Sequence, residues 1–178
     1  NTGDVVETAL ILGRRGWSHC FHDAERILRG HFLPSQLRKL SFVTEIADPD
    51  RISRSPRSSG PDRLDRYLGL FGFPASYGIF PVGKDSTCYN HDVVGGSVGS
   101  LCEVLREIVR QDNAGHWVNL LFDHETESIR VESPYTHDVL RVTVKQPKPL
   151  FLRLPPWVDH ERLRVGTADE PRRLTNNY

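Results

Sequence analysis

Methionine is absent from the 178 residues of this chain, and cysteine occurs only three times. Three widely spaced cysteines exclude the disulfide framework of a small secreted domain. No apolar run approaches the roughly 18 residues of a membrane-spanning helix, which excludes an integral membrane protein. A charge excess is lacking too, because 23 basic residues balance 23 acidic ones. Duplex nucleic acid requires a basic surface, so we expect neither nucleic acid nor membrane as a partner.

The sequence begins with Asn1 and not with methionine. This start predicts an excerpt from a longer chain, so we expect the remainder of that parent chain as a partner. With the true start missing, the lack of a basic-then-apolar leader carries no weight. The free thiols favour a reducing, cytoplasmic compartment.

Residues 4–33 carry a helical period. Apolar residues recur every three or four positions in two runs, which Gly16 separates and Pro34 ends. Asp4 and Glu7 have capping-box spacing, which predicts that Asp4 caps the first helix. The two runs therefore predict a helical hairpin that needs neighbours to bury both stripes. The positions predicted to face the core are Val6, Ala9, Leu10 and Gly13, then Trp17, Phe21, Ala24, Leu28 and Phe32.

Residues 34–91 are interrupted by repeated X-Pro pairs and predict an irregular insert. Its Arg-, Ser- and Pro-rich part, Arg51–Arg66, is typical of a solvated loop, with a phosphorylatable or anion-binding arm as the alternative. Helical order returns over 97–112, where Ser100 and Glu103 form a second capping-box pair. The predicted core stripe there is Leu101, Val104, Leu105, Ile108 and Val109, with Cys102 as a small core residue and Arg106, Glu107 and Arg110 outward.

From Trp117 the hydrophobic period changes from 3.6 to 2. Apolar residues alternate with polar ones in four short runs at about ten-residue spacing, and Leu163 and Val165 indicate a fifth. This pattern predicts an antiparallel meander with one buried face, as in part of a β-sandwich. Helices first and strands second predict an α+β fold.

Two places concentrate groups that could carry chemistry. Glu7 suits a metal ligand or acid/base, with helix capping as the alternative. The segment from Cys88 to Asp92 places a thiol, an imidazole and a carboxylate directly before a helix. Cys88 and His91 could share a metal ion, or the thiol could act as a nucleophile. The alternative is a turn, fixed by Asp92 before two glycines.

Other candidates are weaker. His19 and His22 share one side of a helix and could chelate, but a surface or capping role is favoured. The sequence has no phosphate-binding Gly-Lys-Ser/Thr loop, no Gly-x-Ser-x-Gly elbow and no pair of Cys-x-x-Cys knuckles. Nucleotide-dependent and serine-hydrolase functions are therefore not expected.

Several segments, in this order, resemble the end of the helical barrel and the first sandwich sheet of the β-L-arabinofuranosidase-like glycoside hydrolases. In the last of them, a strand with an Arg ends in Pro-Pro-Trp, which is similar to the family's sandwich signature. The segments are Glu7–Ala9, Asp23–Leu28, Leu33–Leu37, Trp117–Phe122, Leu140–Val144 and Leu152–Val158.

The resemblance implies an (α/α)₆ toroid followed by β-sandwich modules. Residues 1–115 would be a partial toroid with a long irregular insert at 34–91, and residues 116–178 a sandwich portion. Family enzymes hydrolyse arabinofuranosyl or related linkages with retention. The family uses a zinc ion held by one Glu and several Cys, one of which is the nucleophile, and another Glu as acid/base.

Position by position, Glu7 matches the metal-binding Glu of the family's Glu-Thr-Cys-Ala motif, whereas Ala9 stands where that motif has Cys. The family's Cys-Cys pair falls on His91 and Asp92, or on Cys88 with a short gap. The acid/base Glu would precede Asn1. Three possibilities follow: another ligand set from Glu7, Cys88, His91 or Asp92, metal-free hydrolysis by two carboxylates, or loss of catalysis.

We therefore expect a fragment of a glycoside-hydrolase-like protein with a carbohydrate substrate. Glu7, Cys88, His91 and Asp92 are its predicted catalytic residues, and the first three would hold zinc if a metal is used. Trp17, Tyr89 and Trp117 are predicted to stack on sugar, with core packing as the alternative for the two tryptophans. The rival hypotheses are a non-catalytic carbohydrate-binding or scaffold protein that lost the zinc–thiolate site, and a protein–protein module built from the sandwich.

Overall fold

A computed structural model describes residues 2–36, 38–39, 68–71, 92–159 and 178, with the backbone alone for 92–94. These residues form helices and strands, so the predicted α+β class is confirmed. None of the described helices is long and apolar enough to cross a membrane. Contacts divide the chain into two compact units, one of Gly3–Glu25 with Ser100–Tyr178 and the other of Arg26–Gly99. The predicted boundary at residue 115 stays a prediction.

The predicted pair of helices at the start of the chain is confirmed. Helix α1 spans Thr2–Arg14 and helix α2 spans His19–Ile27. Gly16, at φ +106°, lies in the turn between them and adopts a conformation that L side chains rarely take. A π-helical turn at Leu28–Phe32 and a 3₁₀ turn at Leu33–Ser35 follow α2. Every predicted stripe residue of the two runs is buried except Trp17, which is 55% exposed.

The second compact unit contains a short contact around Phe71. Gln36 and Phe71 form an isolated antiparallel bridge, and the rings of Phe32 and Phe71 stack with their centroids 5.2 Å apart. Of the predicted insert at 34–91, the structure describes residues 34–36, 38–39 and 68–71.

Both capping-box predictions are wrong. Helix α1 begins at Thr2, so Asp4 lies inside its first turn. Helix α3 spans Asp92–Ile108, so Ser100 lies in its middle and is buried. The hydroxyl of Ser100 donates to the Glu7 carboxylate, with Oγ and Oε1 2.6 Å apart. One residue of each predicted cap pair, Glu7 and Ser100, therefore takes part in a helix–helix contact.

Helices α1 and α3 run in the same direction. Glu7 on α1 contacts Ser100 on α3, and Arg14 on α1 contacts Glu107 on α3, with Arg14 Nε 3.4 Å from Glu107 Oε1. Each contact is displaced by the same number of residues, in the same sense, along both helices. Two such contacts at equal offsets occur only between helices of parallel direction.

The buried face of α3 is rotated from the predicted one. Ser100, Val104, Glu107 and Ile108 are buried, whereas Leu105 is 56% exposed. Cys102, predicted as a core residue, is exposed as well. The buried set still follows a helical period, but it contains polar residues because they meet Glu7 and Arg14. The prediction followed hydrophobicity alone and therefore placed the stripe at the wrong angle.

The described residues after α3 form six strands, β1 (Val109–Gln111), β2 (His116–Val118), β3 (His124–Glu125), β4 (Ile129–Glu132), β5 (Arg141–Val144) and β6 (Leu150–Leu152), with a short helix α4 (Pro134–His137) after β4. They form two three-stranded sheets, in the orders β1-β2-β6 and β3-β4-β5. Within the described part of the chain, only the antiparallel β4–β5 pair of the predicted meander is observed. β3, which the pattern did not predict, pairs with β4, while β2 pairs with β1 and, in parallel, with β6. Helix α3 ends at Ile108 and not at residue 112, since β1 begins at Val109. The fifth predicted strand, Leu163–Val165, lies outside the described residues.

Both sheets contribute to one hydrophobic core. Val118 of β2 and Ile129 and Val131 of β4 are buried in one cluster. Val109 of β1 and Leu152 of β6 pack against the same cluster. Because side chains alternate along a strand, the opposite face of the β1-β2-β6 sheet carries a different set of residues.

Candidate functional site

The outer face of the first sheet presents a cation and two aromatic rings in one row. Arg110 of β1 pairs with Trp117 of β2, and Trp117 pairs with Phe151 of β6. Paired residues point to the same face, so the three side chains are neighbours across the strands. The rings of Trp117 and Phe151 stack at 4.0 Å between centroids and 13° between planes. Phe151 thereby restricts the orientation of the indole.

A cavity of about 420 Å³ lies against this row, between the sheet and the turn from α1 to α2. We call it the Trp117 pocket; its side walls are formed by Arg14, Phe21, Arg110, Trp117 and Tyr178. All of these residues belong to one compact unit. The pocket therefore combines aromatic surface with two guanidinium groups.

The helical wall of the pocket depends on Gly13. A Cβ atom at Gly13 would lie 2.7 Å from the ring of Phe21, well inside van der Waals contact. Phe21 is itself buried and has little room to move. The missing side chain therefore lets α2 approach the end of α1 closely enough for Phe21 to form the wall.

Asp112 closes the turn from β1 to β2 at the rim of the pocket. Its Oδ1 accepts hydrogen bonds from the backbone N–H groups of Ala114, at 2.8 Å, and Gly115, at 3.1 Å. The nearby indole N–H of Trp117 is the largest cause that lowers the pKa of Asp112, and the two backbone groups add to it. Asp112 is therefore ionised at neutral pH, and its Oδ1 is directed at the turn.

Tyr178 lies across the indole on another side of the pocket. Its ring meets Trp117 edge-on, with the centroids 5.1 Å apart, and its hydroxyl donates to Asn119 Oδ1. Burial raises the pKa of Tyr178 to about 12, so the hydroxyl stays protonated and remains a donor. Because the side-chain oxygen of Asn119 already accepts this hydrogen bond, the amide NH₂ of Asn119 is the part of that side chain that can donate to a ligand.

Glu107 lies behind Arg14, and sequence reasoning missed it because it was predicted to point outward. It is buried, and its Oε2 has no hydrogen-bond partner among the described residues. Burial raises the pKa of Glu107, against the opposing effects of Arg110 and Arg14. No signal in the sequence of α3 distinguishes Glu107 from Glu103, whose partner is the exposed Arg106.

A buried ion pair holds the backbone beneath the pocket. Arg153 Nη2 lies 2.5 Å from Glu25 Oε2, and both side chains are almost completely buried. Arg153 Nε donates to the carbonyl oxygen of Asn119, and the N–H of Leu121 donates to Glu25 Oε2 at 3.3 Å. The pair therefore links α2 to the segment that carries Asn119. The alternating pattern predicted that Arg153 points away from the face formed by the leucines of its strand. The sequence holds one other indication of the two residues, because Arg153 and Glu25 each lie in a segment that resembles the glycoside hydrolase family.

The predicted site residues fall into three groups. Trp117 lines the pocket, and Glu7 lies on α1 against Ser100. Trp17 is exposed and does not line the pocket. Cys88, Tyr89 and His91 lie outside the described residues, as does the side chain of Asp92, which begins α3. The convergence of Cys88, His91 and Asp92 on Glu7 stays a prediction.

The described residues by themselves do not fit the zinc site of the resembling family. They contain no group of three or more His, Cys, Asp or Glu side chains that could hold a metal ion. Ala9, where the family motif has Cys, is a buried residue of α1. A zinc site that includes Cys88 and His91 stays a prediction, because both lie outside the described residues.

The fold and the pocket define an α+β protein with an aromatic pocket bordered by two guanidinium groups. Comparison with protein families, curated proteins and solved structures finds no match.

Proposed function

We propose that this protein recognises carbohydrate, as a glycoside-hydrolase-like protein acting on arabinofuranosyl or related glycans. The observation that carries the proposal is the Trp117 pocket. A sugar ring presents apolar C–H faces and a rim of hydroxyl groups, so it is bound by an aromatic ring together with polar side chains. The pocket offers this combination in Trp117, Asn119 and Arg110, in a volume suited to one sugar residue or a few.

Two features of the fold support the glycoside-hydrolase-like part of the proposal. Helices α1 and α3 run in the same direction, and α2 lies between them in the sequence. A toroid of helical hairpins requires such a common direction for its inner helices. The core shared by the two sheets is the arrangement expected at the start of a β-sandwich.

We expect Trp117→Leu to weaken the binding of neutral oligosaccharides about tenfold, a loss of about 1.4 kcal/mol. Leucine keeps apolar volume against Phe151 but removes the flat surface on which a sugar ring would stack. Isothermal titration calorimetry against arabinose- and xylose-containing oligosaccharides measures the effect.

The matched control is Trp17→Leu, which removes an exposed indole that does not line the pocket. This variant should bind the same sugars as the wild type does. Unfolding curves of both variants separate a binding defect from a folding defect. Equal sugar affinity in a folded Trp117→Leu protein, or loss of affinity in Trp17→Leu, would contradict the pocket assignment.

Catalysis at Glu7 is the second part of the proposal, and the Ser100 contact favours it. A hydroxyl that donates to one carboxylate oxygen fixes the orientation of the group, as an acid/base or ligand role requires. Residues 88–91 directly precede α3 in sequence, and α3, which begins at Asp92, carries Ser100. The non-catalytic carbohydrate-binding protein remains the alternative.

We expect Glu7→Gln to lower hydrolysis of nitrophenyl arabinofuranosides by about 100-fold or more, measured in the longest chain that contains this sequence. Ser100→Ala should lower it less, because it removes only the group that orients Glu7. Glu103→Gln changes the same charge on the partly exposed side of α3 and should leave the rate unchanged. Equal rates in Glu7→Gln and wild type would remove Glu7 from the mechanism, and sugar binding without hydrolysis by the wild type would favour the non-catalytic alternative.

A further inference from the structure

We infer that the Trp117 pocket selects a sugar that bears a carboxylate, namely a hexuronic acid residue of an acidic glycan. This inference rests on the proposed function and narrows it to one substrate class. It depends on which polar groups of the pocket are already engaged within the protein and which remain for a ligand.

Two acceptor oxygens of the pocket are engaged within the protein. Oδ1 of Asp112 accepts from the N–H groups of Ala114 and Gly115. The side-chain oxygen of Asn119 accepts from the hydroxyl of Tyr178. A neutral sugar needs acceptors as well as donors, because each hydroxyl donates one hydrogen bond. Oδ2 of Asp112 is the side-chain oxygen of these two residues that remains for the hydroxyl protons of a neutral ring.

The donors, in contrast, are in excess. Arg110 lines the pocket and forms no ion pair within the described part of the chain. Arg14 contacts Glu107 through Nε, which leaves its two terminal nitrogens as donors. The amide NH₂ of Asn119 is a third donor. Guanidinium groups bind carboxylates through paired, charge-assisted hydrogen bonds, so this set suits an anionic oxygen pair.

The sheet register determines where the carboxylate would lie. Arg110 and Trp117 are directly paired between β1 and β2 and share one face. Phe151 stacks on the indole from the β6 side, so the face of Trp117 that is left for a sugar ring is turned toward β1 and Arg110. A carboxylate on the edge of such a ring, as at C6 of a hexuronic acid, is within reach of that guanidinium. A ring with CH₂OH at this position offers only a neutral hydroxyl.

The experiment compares sugars that differ only at C6: D-glucuronic acid with D-glucose, and D-galacturonic acid with D-galactose. Calorimetric titration of the full chain should give at least tenfold tighter binding of each acid than of its neutral partner. Arg110→Gln should remove most of this preference, because the acid loses far more affinity than its neutral partner does. Arg110→Lys, which keeps the charge and loses the planar donor pair, should retain part of it. Arg141→Gln, which removes an exposed arginine of the other sheet, is the charge-matched control and should retain all of it.

Inorganic phosphate and glucose 6-phosphate separate a carboxylate site from a phosphate site. Weaker binding of both than of glucuronic acid supports the inference, whereas tighter binding of either overturns it. Equal affinity for acidic and neutral sugars, or an acid preference that survives in Arg110→Gln, also overturns it and leaves the proposed function standing. Binding of no sugar at all contradicts the proposed function and the inference together.

Discussion

Glu25→Gln is expected to lower the free energy of unfolding by about 3–5 kcal/mol, the range for breaking a buried ion pair. Glutamine keeps the shape of the side chain but leaves the charge of Arg153 uncompensated in a site where both partners are almost fully buried. Burial already lowers the pKa of Arg153, and Glu25 is the largest opposing influence. Equilibrium unfolding in urea at neutral pH measures the change.

The control is Glu132→Gln, which breaks two ion pairs, with the exposed side chains of Arg130 and Arg141. Surface pairs contribute about 1 kcal/mol or less, so this variant should unfold close to the wild type. The double variant Glu25→Met, Arg153→Met should recover much of the lost stability, because it removes both charges from the interior. A Glu25→Gln protein as stable as the wild type would mean that the pair is solvated.

The pattern of apolar residues predicted the first helix pair and most of the strands correctly. In α1 all the predicted positions are buried, whereas the apolar residues off that stripe, Val5, Ile11 and Leu12, are exposed. In β4 the alternation of Ile129 and Val131 with Arg130 correctly predicted which residues enter the core. Short-range periodicity is sufficient where the buried side chains are apolar.

The same reasoning failed where polar side chains are buried against distant partners. Ser100 and Glu107 face inward because Glu7 and Arg14 lie opposite on α1. Arg153 is buried because Glu25 neutralises it from a helix more than a hundred residues earlier. Neither the period of the apolar residues nor helix propensity depends on such a distant partner. A prediction from these two properties therefore does not place these polar residues in the core. The parallel pairing of β6 was missed for a related reason, since its partner β2 is not its neighbour in sequence.

The candidate site follows the same division. Trp117 was predicted from its residue type and position, and it lines the pocket. Arg110 was predicted to point outward from a helix, whereas it belongs to β1 and borders the indole. That placement depends on where α3 ends, which the sequence pattern extended by four residues, from Ile108 to residue 112. The donor set of the pocket could therefore be recognised only from the sheet register.

Gly115→Ala is expected to lower the free energy of unfolding by about 3 kcal/mol, at the upper end of the usual cost of overpacking. A Cβ atom at this position would lie 2.2 Å from the carbonyl oxygen of Pro149, a backbone atom that cannot rotate away. The same oxygen accepts a hydrogen bond from the N–H of His116 at 2.9 Å, the contact that begins the β2–β6 pairing. Relief of the clash must separate β2 from β6, and with them the stacked rings of Trp117 and Phe151. Urea unfolding and sugar titration should therefore change together, with affinity reduced about tenfold at temperatures where the variant is still folded.

Gly99→Ala is the matched control for this substitution. Gly99 lies in α3, and a Cβ atom added there would have no neighbouring atom within 4 Å, so alanine should raise the free energy of unfolding by about 0.5–1 kcal/mol through helix propensity. Its sugar affinity should equal that of the wild type. If Gly115→Ala lost stability but bound sugar normally, the indole would not depend on the β2–β6 contact for its orientation. If it lost neither, the close approach of Gly115 to Pro149 would be contradicted.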